Sequence, residues 1–318
     1  MSIASRETVN WEEVENSLLG KRTETSLPPW VKLPGLSSVI TEFVKKAQEP
    51  DADAVDLGIL IERDTALTCL LLRRVNSASQ ALQCEAKSAQ EAIVRLGIRG
   101  SVIFLLTEGM KQILASSKSR VMNMPIFYWE NLERALFAKA IATKLKMDRE
   151  LAFAGGLLCD CLLPIITNAA TKAYYRFLEQ KGDVASHIVD FEEREFGWSH
   201  ALATALIFKG WSFPKELVCC VGYHHKGLKV LEDSRLSRTP VAAVAIAGLI
   251  PGQLKQSPTG MADLQSLESR IPGFNLQETA DLVSAECREM LPNVSNSMTL
   301  AHRCKQATRK RSWFSKSS

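Results

Sequence analysis

Almost every apolar run in this sequence opens on a residue that caps a helix and closes on a glycine or a proline. Asn10 with Glu13, Ser88 with Glu91 and Asn275 with Glu278 have the capping-box spacing, in which the first side chain accepts from a backbone N–H three residues on. Asp53 and Asp64 can cap the runs that follow them, and Gly97, Gly182, Gly197 and Gly210 stand where helices should stop. Pro214 stands where one should start, because its missing N–H is an orphan there anyway. The spacing predicts helices over 11–19, 36–47, 54–62, 65–75, 89–96 and 98–115. A second series is expected over 131–146, 148–158, 164–180, 184–196, 199–209 and 214–225. Thr239-Pro240 opens a further apolar segment, and Asn275 caps a last long helix that runs to Met290. No run alternates apolar and polar residues as a half-buried strand would, and no hairpin turn signal joins two runs. Helices this close together imply an all-α globule.

Composition narrows the class. A chain of 318 residues with 46% hydrophobic and 23% charged residues excludes a disordered chain, a collagen-like fibre and a multi-span membrane protein. The apolar run from Val241 to Ile250 is about half the roughly 20 residues that cross a bilayer, so no transmembrane segment is expected. The first residues, MSIASRETVNWEEVENS, hold no apolar core for a signal peptide, and a cytoplasmic location is expected. The eight cysteines include no C-x-x-C pair and read as small buried hydrophobes. The net charge is +4, yet residues 303–318 alone hold six cations and no acid. The remainder is therefore slightly acidic, which argues against a nucleic-acid-binding body. In the tail, Arg303, Lys305, Arg309, Lys310, Arg311 and Trp313 would suit a membrane surface, an acidic partner or RNA, although a solvated, disordered terminus is the expectation.

Three ordered stretches resemble the HDOD family, all-helical relatives of the HD metal-dependent phosphohydrolases. The first runs from Leu27-Pro28-Pro29 and Leu33-Pro34 through Ile61-Glu62-Arg63-Asp64-Thr65-Ala66-Leu67 to Asn76-Ser77-Ala78. The second is Ser88-Ala89-Gln90-Glu91-Ala92-Ile93, closed by Leu96-Gly97. The third joins Phe153-Ala154-Gly155-Gly156-Leu157-Leu158-Cys159-Asp160, Glu195-Phe196-Gly197-Trp198-Ser199-His200-Ala201, Trp211, Pro214, Glu216-Leu217-Val218 and Tyr223-His224-His225. The resemblance implies a multi-helix HD-like domain over 25–230; the helix and linker in 1–24, the helical extension over 231–302 and the basic tail over 303–318 are expected from the residues themselves.

The parent superfamily uses a His…His-Asp…Asp set to hold divalent ions that activate water and polarise a phosphoryl oxygen. The five histidines here are His187, His200, His224, His225 and His302. The first metal histidine would fall near Trp129–Arg134, where none stands, and the His-Asp dyad reads Cys159-Asp160. The HD site is thus read as degenerate, with no catalytic residue, metal ligand or cofactor assigned. Asp160 is expected to hydrogen-bond or cap locally, and His200 to play a structural role at a helix start. His224 and His225, read as the end of a helix, should point apart. Asp64, Asn76, Ser77, Glu91, His200, His224 and His225 remain as contacts for a ligand or partner, with helix capping the simpler role for Asn76 and Ser77.

The expected function is a non-catalytic, bacterial-type regulatory module that binds a protein or small ligand, and the resemblance implies a link to response regulators or cyclic-dinucleotide signalling. A cleft between 25–115 and 130–225 would receive the ligand, and the signal would arrive through a separate partner. The alternative is a metal-dependent phosphohydrolase with unusual ligands drawn from Asp160, His200, His224 and His225.

Overall fold

The computed structural model describes residues 9–32, 35–78, 85–115, 118–180, 186–296 and 298–314. Leu33-Pro34, Cys84, Gly182 and Val184 lie outside them, as do the side chains of Arg309, Lys310, Arg311 and Trp313. Among the described residues the chain is helical, with seventeen α-helices and no strand. Two compact units divide it: residues 32–118 with 211–213, and residues 1–31, 119–210 and 214–318. This partition differs from the boundaries expected at 25 and 230. Residues 231–302 fall within the larger of the two units.

The larger unit begins with α1 (Trp11–Leu19), N-capped by Asn10 as its sequence predicts. The smaller unit holds α2 (Ser38–Lys46), α3 (Ala54–Ile61), α4 (Thr65–Ala78), α5 (Ala89–Leu96) and α6 (Ile98–Ala115). Asp53 caps α3, and Ser88 caps α5 by accepting from the Glu91 N–H. Their buried faces, with Phe43, Ile61, Leu71 and Ile93 at the centre, form this unit's core. Each such side chain contributes roughly 1.5–3 kcal/mol when fully buried. Gly58 is needed where α3 meets α5, since a Cβ there would lie 2.9 Å from the Gln90 nitrogen.

The larger unit continues with α7 (Met124–Lys144), α8 (Arg149–Leu158), α9 (Leu163–Ala169), α10 (Thr171–Glu179), α11 (Ile188–Phe196), α12 (His200–Gly210) and α13 (Lys215–Gly222). A 3-10 segment, His224–Glu232, leads to α14 (Pro240–Ala247), α15 (Gly260–Arg270), α16 (Leu276–Met290) and α17 (Leu300–Phe314). Helix α14 is buried on every side and packs on α7, α8 and α13. Gly156 lets α8 press against the backbone of Ala135 in α7. The stretch Arg149–Ala169 is, by length and composition alone, apolar enough to cross a membrane, but it forms α8 and α9 and 83% of its most apolar window is buried.

Four expectations need correction. The helix expected over 164–180 is two helices, broken at Ala170. The Thr167 and Thr171 hydroxyls there donate to carbonyls one turn back, which weakens helix continuity. The helix expected to end at His225 stops at Gly222. The chain is helical through Phe314, in the segment expected to be frayed; the Glu133 carboxylate accepts from Leu300 N at the start of α17, and Lys305 pairs with Asp281. Finally, Cys69 is exposed, whereas the other described cysteines are buried.

Candidate metal centre

Asp160 follows α8 in a tight turn and is fully buried. A carboxylate in such a place needs partners. The Arg134 guanidinium of α7 lies 2.9 Å from its Oδ2, and Gln256 Nε2 donates to the same oxygen at 2.8 Å. Oδ1 makes no hydrogen bond of acceptable geometry, and it faces three imidazoles. His200 Nε2 lies 3.3 Å from Oδ1 and His224 Nε2 lies 3.2 Å from it. His225 Nε2 completes the group, 3.0 Å from His200 Nε2, while His224 Nε2 is 3.2 Å from that same atom. One ligand atom from each of the four residues falls within 4.8 Å of the others.

Two of the imidazoles have their tautomers set from behind. His200, at the first turn of α12, donates from Nδ1 to Glu192 Oε2 at 2.6 Å, and its backbone N donates to the same oxygen at 2.8 Å. Tyr174 OH donates to the other oxygen of Glu192 at 2.5 Å. His224 Nδ1 donates to the Val221 carbonyl at 2.6 Å, which the end of α13 leaves free. Both locks turn Nε2 toward Oδ1, the arrangement by which proteins orient metal-ligating histidines. Gly248 makes this possible for His224, because a Cβ there would sit 2.1 Å from the His224 carbonyl oxygen.

The electrostatics agree. Burial opposes charging Asp160, yet the Arg134 guanidinium, with His200 and His224, holds its carboxyl well below the usual carboxylate range. Burial likewise works against His200, but Glu192 and Asp160 outweigh it and push this imidazole up to about 9. Burial and the neighbouring imidazoles drive His225 well below its ordinary value, and His224 is lowered chiefly by burial. His224 and His225 are therefore neutral donors at the cluster. They converge where divergence was expected, because α13 has already ended and Tyr223 turns the chain into the 3-10 segment. Their ring centroids are 3.9 Å apart.

Donor chemistry and spacing both fit a divalent ion. Bonds of about 2.0–2.1 Å make a tetrahedron with edges of about 3.3–3.4 Å, close to the four separations of 3.0–3.3 Å given above, while the group as a whole lies within 4.8 Å. One Nε2 cannot hydrogen-bond three partners at once, and Oδ1 is left orphaned without an ion. Cys159 takes no part. Its thiol donates to the Gly156 carbonyl, and burial, with the Asp160 charge, keeps it protonated. His225 is half-buried and opens, beside His187, Ser199 and Tyr223, onto a pocket of about 670 Å³.

Asp160, His200, His224 and His225 are thus brought together. The remaining residues singled out from sequence serve their own segments. Asp64 accepts from Leu67 N at 3.0 Å, and Asn76 bonds the backbone of Ala86 twice. Ser77 donates to the Arg74 carbonyl, and Glu91 accepts from Lys87 N. Four residues with a part in the site escaped sequence reading: Arg134, Tyr174, Glu192 and Gln256. The available signal was in 129–134, where Glu130, Glu133 and Arg134 interrupt a helix that is otherwise core-like on all faces.

Residues 33–227 match the HDOD domain family. The chain belongs to that family. A Treponema pallidum protein is 25% identical over 199 residues, which are 61% of this HDOD chain and 37% of that protein. The cyclic di-GMP phosphodiesterase CdgJ of Vibrio cholerae is 29% identical over 129 residues, 39% of this chain and 28% of its own length. The chain therefore spans well under half of the curated relatives it matches. Among solved structures, a putative metal-dependent phosphohydrolase of Shewanella amazonensis superposes with a TM-score of 0.58 at 15% identity, over 89% of this chain and 98% of that one. An HDOD domain protein of Geobacter sulfurreducens gives 0.51 at 17% identity, over 94% and 95%. At such identities these likenesses establish the helical HDOD fold.

Proposed function

We propose that this HDOD chain is a non-catalytic regulatory module built around one buried divalent metal ion, held by Asp160 Oδ1 and by Nε2 of His200, His224 and His225. The ion would supply a fixed positive charge that cross-links the end of α8, the start of α12 and the 3-10 segment. Three imidazoles and one carboxylate fill a tetrahedral sphere, as in structural sites. The observation that carries the non-catalytic reading is the Arg134–Asp160 ion pair. A guanidinium stands in the stretch where the HD resemblance expects a metal histidine, and it occupies Oδ2, which a second ion would otherwise share. Its charge cannot be titrated away, so the place stays closed to a second cation. Regulation then works through binding. A separate partner in a signalling circuit, in the cytoplasm, reads the packing of the helices around the centre.

The second reading, a phosphodiesterase, draws on the CdgJ relative and on the pocket beside His225. One experiment separates the two. Untagged protein purified without chelator is assayed for metal content and for hydrolysis of bis(p-nitrophenyl) phosphate and cyclic di-GMP. About one ion per chain with no turnover supports the regulatory reading. Turnover abolished by His224→Ala would replace it with the hydrolase.

A further inference from the structure

The segment 251–258, between α14 and α15, lies beyond the residues that match the HDOD family, yet it reaches into the centre. It is tied down at three points. Gln253 accepts from Asn123 N at 2.8 Å and donates to Asn123 O at 3.1 Å, a two-bond clamp on the cap of α7. The Gln256 carbonyl accepts from Ile188 N at 3.0 Å, at the start of the helix that carries Glu192. The Gln256 side chain, fully buried, donates from Nε2 to Asp160 Oδ2 and accepts from Arg134 Nη2 at 2.9 Å. Gly252 allows this approach, since a Cβ there would lie 2.8 Å from Arg134 Nη2.

Only one amide orientation satisfies both partners. A carboxylate cannot donate and a guanidinium cannot accept, so the nitrogen must face Asp160 and the oxygen Arg134. We infer that Gln256 is a positioning residue for the metal centre, one that holds the Asp160 carboxylate with Oδ1 turned to the three histidines. The reasoning rests on the metal reading above. With Oδ2 bound by both Arg134 and Gln256, rotation of the carboxylate would break two bonds in a buried place. Without Gln256, Arg134 can take both oxygens in a fork, which withdraws Oδ1 from the histidines. The C-terminal extension is thereby part of the site, although the family motifs end before it.

The test uses the full chain, stripped of metal and titrated with Zn²⁺ against a chromophoric chelator. Gln256→Met keeps the volume and removes both bonds. Zn²⁺ affinity is expected to fall roughly 10- to 100-fold, the range found when groups behind metal ligands are removed. Gln253→Met, on the same segment but bonded to Asn123 and Glu130 and to neither Asp160 nor Arg134, is expected to bind Zn²⁺ as the parent does. A merely structural role for Gln256 would lower the melting temperature of the metal-free protein and leave affinity alone. Should Gln256→Met fail to fold, Gln256→Asn, one methylene short, is read by the visible spectrum of the Co²⁺-loaded protein, which shifts when an oxygen ligand is lost. Parent-like affinity in Gln256→Met, or a parent-like spectrum in Gln256→Asn, overturns the inference while the metal reading stands. Absence of Zn²⁺ binding by the parent overturns both.

Discussion

Aspartate caps helices in the smaller unit and anchors a buried charge network in the larger one. In the unit of residues 32–118, Asp53, Asp64, Asn76 and Ser88 bond the backbone of their own neighbourhood, at helix starts and at one helix end. In the larger unit, Asp160, Glu192, Arg134, His200 and His224 are buried and bonded chiefly to one another. A cap replaces water on one amide group and stands alone, whereas a buried charge is stable only while its partners remain in place. The first pattern makes helices and the second makes a site. Family motifs run through both units, so a motif match by itself does not distinguish them.

Breaking the second pattern should cost most. Arg134→Met leaves Asp160 buried without its cation, and the metal-free protein should lose about 3–5 kcal/mol, the usual penalty for breaking a buried pair, in urea unfolding monitored by circular dichroism. A loss below about 1 kcal/mol would mean that the pair is far better solvated than its burial implies. Next, Glu192→Gln removes the charge behind His200, and Zn²⁺ affinity should drop about 10- to 100-fold in chelator competition, with Tyr174→Phe producing a smaller fall in the same direction.

The pH profile sharpens the comparison. In the metal-free protein the raised pKa of His200 stabilises the fold fully below its unfolded value of about 6.5, and this contribution disappears as pH rises through about 9. The lowered values of His224 and His225 act in the opposite sense, present above about 6.5 and lost as pH falls. Metal-free stability should therefore peak near neutrality and decline on both sides, and bound Zn²⁺ should flatten the alkaline side because it replaces the His200 Nε2 proton. Thermal melts from pH 5 to 10, with and without Zn²⁺, check this, and a profile unchanged by the metal would remove His200 from the ligand set. The smallest effect belongs to the other unit. Asp64→Ala should cost about 1 kcal/mol as a lost helix cap and leave Zn²⁺ affinity unchanged.

Much of the fold was legible because helix signals are local. Asn10, Ser88 and Asn275 cap the helices that their spacing predicts, each by accepting from an N–H three residues on. Where the reading failed, a local competitor was overlooked, as with the threonines that divide α9 from α10. The site was legible only as a list of residue types. Cys159 in place of a histidine pointed away from metal, yet Asp160 still meets three imidazoles, none of them at the position examined for a replacement. Arg134 could not be paired with Asp160 from sequence, nor Gln256 with either, since those contacts span up to 122 residues.

The sequence by itself determined the helical class, the positions of most caps and the membership of the chain in a family, because capping and apolar periodicity act over three or four residues. Tertiary structure alone decided that Asp160, His200, His224 and His225 face one another. Their convergence depends on where α8 and α13 stop, on Gly248 admitting the His224 carbonyl, and on Glu192 and Val221 turning two imidazoles inward. The Val221 and Glu192 bonds are short in sequence, but the meeting of Asp160 with the three histidines is a packing event between distant segments. Burial there depresses His225, the Glu192 and Asp160 charges it brings together outweigh burial to raise His200, and the buried charges depend on one another.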